Sequence, residues 1–69
     1  MESRVRMMIV DNLFSDISER IGRLTNQGVF TLEEGVKIIN LISDKETEWM
    51  KNNFSEAEID AFMRESSII

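Results

Sequence analysis

Six apolar residues, Met7, Val10, Phe14, Ile17, Ile21 and Leu24, recur at intervals of 3, 4, 3, 4 and 3. A strand would scatter such a set over both its faces, whereas a helix gathers it into one stripe. The spacing predicts a helix over about residues 2–26 with a heptad-like seam. Ile9 and Leu13 widen the stripe, while Asp11, Asn12, Ser15, Ser18, Glu19 and Arg23 occupy the other side. Glu2–Arg6, Asp16–Arg20 and Glu19–Arg23 are i,i+4 pairs with the acid first, the order that best supports a helix. Asn26-Gln27-Gly28 interrupts the pattern, and Gly28 suits the left-handed residue just past a helix end.

Two capping boxes divide the remainder. In Thr31-Leu32-Glu33-Glu34 the threonine is an N-cap and Glu34 reaches back to it. The dense apolar set Leu32, Val36, Ile38, Ile39, Leu41 and Ile42 follows, and Trp49 and Met50 resume its phase, so a second helix is expected over about 32–52. Ser43-x-x-Glu46 is also a capping pattern and offers a break near residue 43 as the alternative. Ser55-Glu56-Ala57-Glu58 starts a third helix over about 56–65, with Phe54 and Ile59 placed as a hydrophobic staple. Ile59, Phe62 and Met63 give it one apolar face, and Asp60–Arg64 is another i,i+4 pair. The tail 65–69 is expected to fray, with Ile68 and Ile69 available to pack on a neighbour.

The expected fold is therefore all-α: one small domain over 1–69, an antiparallel hairpin of two long helices and a short third helix folded onto its open end. A domain this small hides only ~60% of the surface its unfolded chain exposes. With no Cys or His to staple it, self-association is the simplest remedy. The expected oligomer interface is the seam Met7, Val10, Phe14, Ile17, Ile21 and Leu24, closing a helical bundle in a homodimer. Gly22 and Gly35 fall inside helices, where each costs ~1 kcal/mol against Ala; close helix approach would explain either.

Composition narrows function mainly by exclusion. Without His or Cys there is no thiol catalysis, no Cys/His zinc site and no His-based triad. The thirteen acids show no EF-hand loop, and the three glycines no phosphate-cradling loop. No catalytic, metal or cofactor residue is assigned, and an enzyme is not expected. The apolar run Met7–Val10 is too short for a secretory signal, and no stretch approaches the ~20 apolar residues of a membrane span, so a cytoplasmic protein is expected.

Residues 1–30 are neutral, and residues 31–69 carry the whole net charge of −5. A helix-turn-helix reading fails on sign, because Glu56, Glu58, Asp60 and Glu65 on the third helix would oppose phosphates. Direct nucleic-acid contact survives only as the alternative of a small dimeric transcriptional regulator using Arg4, Arg6, Arg20 and Arg23. The preferred expectation is a non-enzymatic protein–protein interaction module: an adaptor, modulator or inhibitor of a partner protein. Trp49, Met50 and Phe62 would anchor that partner, ringed by Glu46, Glu48, Glu56 and Glu58. Such an acidic rim suits a basic partner, for example a protein that handles nucleic acid. The competing role for Trp49, Met50, Phe54, Phe62 and Met63 is to pack the third helix. Met8 projects from the seam and is expected to be exposed.

Overall fold

The computed structural model describes residues 1–67, with the backbone alone at Ser66 and Ser67. Ile68 and Ile69, expected to be able to pack on a neighbour, lie outside the described residues. Three helices follow in order: α1 Ser3–Asn26, α2 Leu32–Asn53 and α3 Glu56–Ser67. There is no strand among the described residues. α1 and α2 are the main packing pair and form the expected antiparallel hairpin, 40 Å along its longest axis; α3 folds onto the open end. α3 runs two residues past the expected end, so the backbone of residues 65–67 is helical rather than frayed.

Each boundary has a local cause. At the end of α1, the Gly28 amide donates to the Thr25 carbonyl at 3.1 Å and the Val29 amide to the Leu24 carbonyl at 2.9 Å. This is a Schellman motif, and it needs a left-handed residue, supplied by Gly28 at φ +83°. α2 opens on the full capping box: the Glu34 amide donates to Thr31 Oγ1 at 3.1 Å, and the Thr31 amide to Glu34 Oε1 at 2.9 Å. α3 repeats it, with Glu58 N to Ser55 Oγ at 3.2 Å and Ser55 N to Glu58 Oε1 at 3.0 Å. Ser43 starts nothing, and α2 runs through it unbroken. An N-cap needs a residue with non-helical backbone, and at Ser43 the helix simply continues.

Gly35 sets how close the two long helices come. A Cβ at Gly35 would collide with Thr25 Oγ1 and lie 3.3 Å from Thr25 Cβ and Cγ2. Thr25 is held in place by the bond its hydroxyl donates to the Ile21 carbonyl, 2.8 Å. Gly22, by contrast, faces open space. At the other end Met7 from α1, Met50 from α2 and Phe54 from the α2–α3 junction form the buried core, at 2%, 4% and 8% exposure. Trp49, Ile59 and Phe62 pack around it. Trp49 meets Phe54 edge to face, with centroids 5.2 Å apart at 72°, a favoured aromatic geometry. No buried side-chain polar atom lacks a partner among the described residues.

This frame fixes the expected stability effects of three substitutions. Gly22→Ala should raise stability by up to ~1 kcal/mol, because the helix gains propensity and nothing is in the way. Gly35→Ala gains the same propensity but forces α1 and α2 apart at Thr25, and should lose ~1–3 kcal/mol net; paired thermal melts read the opposite signs. Ser55→Ala removes the α3 cap and should cost ~1 kcal/mol, with faster amide exchange across residues 56–64.

Candidate interaction surface

The chain buries few of its apolar side chains, and their location defines the candidate site. α3 covers one side of the hairpin. Arg4 Nε meets Glu65 Oε2 at 2.9 Å, and Phe62 sits over Met7 on α1 and over Glu46 and Met50 on α2. The opposite side has no third helix. There, helical spacing aligns Arg6, Val10, Leu13, Ile17, Ile21 and Leu24 of α1 with Ile38, Leu41, Lys45 and Trp49 of α2. Leu13 and Leu41 are 54% and 58% exposed on this open face. Val10, Phe14, Ile17, Ile21 and Leu24 are half-buried. A second apolar group, Val29, Leu32 and Val36, is exposed around the turn, where α3 does not reach.

Of the six residues expected at an oligomer interface, Met7 is corrected: it is the most buried side chain and belongs to the core, because α3 closes over it. Helical phase alone places Met7 on the seam and does not reveal that a third helix covers that end. The expected partner anchors also separate. Met50 is core and is corrected for the same reason. Trp49 and Phe62 are half-buried, both packed against the core. Met8 is exposed as expected. Sequence reasoning set Leu13 beside the seam and Leu41 in a dense apolar run, and missed them as the most exposed leucines of the open face. Their i,i+4 and i,i+3 spacing to Ile17 and Ile38 was the available signal.

The four expected acids differ in their local engagement. Glu58 is occupied in the Ser55 capping box, and Glu48 pairs with Lys45 at 3.4 Å. Glu56 is exposed on the first turn of α3. Glu46 turns inward between the helices, facing Asp11 of α1. Burial, and then the hydrogen bond and negative charge of Asp11, push the Glu46 carboxyl up to about 7. Glu34 and Glu58 go the other way, lowered chiefly by the backbone amides of Thr31 and Ser55 that they accept from.

The α1 arginines are largely engaged within the chain. Arg4 holds Glu65, and Arg23 holds Glu19 at 2.6 Å. Arg6 lies 5.7 Å from the Trp49 ring centroid and 5.2 Å from that of Phe54, over their faces rather than on Glu2. These cation–π contacts cap one end of the open face. No ion pair joins Asp16 to Arg20 among the described residues, and Arg64 pairs with Asp60 at 3.1 Å as expected. No group of three or more potential metal ligands occurs among the described residues. No helix among them is long and apolar enough to cross a membrane.

The Glu46–Asp11 contact has a definite pH signature. The folded-state value of Glu46 lies above its ordinary 4.5, so the folded chain holds the extra proton. Stability should therefore fall as pH rises from about 4.5 to about 7. Glu34 and Glu58 are lowered, so their contribution is full above the ordinary carboxylate range and is lost as pH falls through their folded values. Glu46→Gln should raise Tm at pH above 7 and flatten the descending limb between about 4.5 and 7, leaving the acid limb in place. A pH series of melts on both proteins measures this. Compared with protein-family models, curated proteins and solved structures, the chain matches none.

Proposed function

We infer that this chain is a small, non-enzymatic interaction module that acts by docking on protein, as an adaptor, modulator or inhibitor. The observation that carries this is the apolar surface its three helices leave uncovered. Among the described residues, nine large hydrophobic side chains, including Ile9, Leu13, Leu41, Leu32 and Val36, are about half or more exposed, against three that are buried. Scattered exposed hydrophobics are ordinary, but a contiguous face of them is the mark of a contact surface. The residue types present offer no nucleophile–base pair of the usual Ser, Cys and His kind, and the clefts flanking α3 are open grooves.

Charge selects among partners. The excess of acid in residues 31–69 repels phosphate backbones and favours a basic protein. Engagement of Arg4, Arg6 and Arg23 within the chain weakens the alternative of a DNA-contacting regulator. Acids at a rim act mainly by steering encounter. Capture from the native host with a tagged chain, followed by mass spectrometry, supplies the partner. Its association with wild type and with Glu48→Lys/Glu56→Lys should then differ mainly in on-rate at low salt. Glu58 is left alone because it caps α3, and Glu46 because it faces Asp11 between the helices, so that changing it would alter stability. Equal on-rates and equal salt dependence would remove the basic-partner reading, and a salt-sensitive gel shift with DNA would favour the regulator.

A further inference from the structure

We propose that the open face of the α1–α2 hairpin is covered by a second copy of this chain, which lays the same face against it and completes a four-helix core. This rests on the open face being a docking surface, and it names the occupant.

Area is the first support. The chain exposes 5399 Å². Folded monomers of 8.0 kDa expose about 4,450 Å² on the usual mass scaling. The excess is on the order of 900 Å², close to the ~800 Å² that each partner contributes to a standard interface. Met1 accounts for part of it, and exposed side chains such as Leu13 and Leu41 for more.

Shape and chemistry point the same way. Two long helices side by side, 24 and 22 residues, present a straight shallow trough. A second pair of long helices fills such a trough by ridge-into-groove packing, as in four-helix bundles generally. From Val10 to Leu24 the α1 row Val10, Leu13, Ile17, Ile21, Leu24 is apolar, with exposed Arg20 at its margin. Arg6 is drawn onto Trp49 and Phe54 at one end, and Lys45 is drawn to Glu48. Two copies thus meet apolar on apolar with their like net charges outside the contact. A two-fold arrangement needs nothing but this one self-complementary patch.

Like charge also separates this occupant from a basic partner. Added salt screens the repulsion between two copies of charge −5 and should tighten self-association, whereas it weakens attraction to a basic protein. Sedimentation equilibrium of the full chain at low and high salt should return twice 8.0 kDa at tens of micromolar, with tighter association at high salt. Leu13→Glu/Leu41→Glu should return the single-chain mass while remaining helical by circular dichroism, since both positions are more than half exposed. Met63→Glu, at an equally exposed methionine on the α3 side, should leave the dimer intact. If the double variant loses its helicity, dilution of wild type decides the matter by NMR: amide shifts should concentrate at residues 10–24 and 38–49.

A single-chain mass for wild type at every concentration overturns the proposal. So does weakening by salt, dissociation by Met63→Glu, or dilution shifts confined to α3. A monomer whose Leu13→Glu/Leu41→Glu variant loses a captured basic protein would overturn the second copy as occupant while upholding the face as a docking surface. A monomer with no effect of that variant on any binding removes both.

Discussion

Met7, Met50 and Phe54 meet where the two long helices and the start of the third converge, and the rest of the molecule depends on that contact. Among the described residues it is the place where side chains of α1, α2 and the start of α3 exclude water together. Trp49, Ile59 and Phe62 are held by it, and through them the angle of α3. Apolar burial of this kind contributes roughly 1.5–3 kcal/mol per large side chain, far more than the exposed ion pairs. Those pairs, such as Lys37–Glu33 at 3.2 Å with both partners more than two-thirds exposed, contribute little. The opposite end of the hairpin is held differently, by backbone: the Schellman turn at Gly28 and the close approach of Gly35 to Thr25.

The middle of the hairpin follows from these two clamps. α1 and α2 are fixed at both ends, so their facing residues must touch. A pair of helices can cover only the strip between them, and α3, with 12 residues, covers one side of one end. Ile17, Ile21 and Ile38 are therefore only half-buried, and Leu13 and Leu41 more exposed still. Such a surface is costly in water, and the docking reading proposed above rests on it rather than on any cleft. The acidic excess lies in α2 and α3, whereas α1 carries the apolar row Val10, Leu13, Ile17, Ile21 and Leu24.

One polar feature works against this economy. Glu46 occupies an inward position of α2 where an apolar residue would extend the core, and it faces another acid, Asp11. Its raised carboxyl value is the direct result of burial next to like charge. The two capping carboxylates have the reverse character, because their negative charge accepts backbone amides that would otherwise go unpaired at a helix start.

Local signals determined the secondary structure almost completely. The 3-4 seam, Gly28, Thr31–Glu34 and Ser55–Glu58 each act over a few residues, and the helices begin and end at or within two residues of where those signals place them. The acid-first pairs Glu19–Arg23 and Asp60–Arg64 formed for the same local reason. What lay outside the sequence was burial by distant neighbours. Met7 and Ile17 occupy the same seam, yet α3 packs against Met7, so one is core and the other stays half-buried. Gly22 and Gly35 are alike in sequence, and only the helix crossing gives Gly35 a task. Arg6 had an acid four residues away and took two aromatic faces instead, because the fold brought Trp49 and Phe54 within reach. Helical phase assigns a side chain to a stripe. Which part of that stripe is covered depends on where the third helix comes to rest, and that is settled by contacts between residues some fifty positions apart.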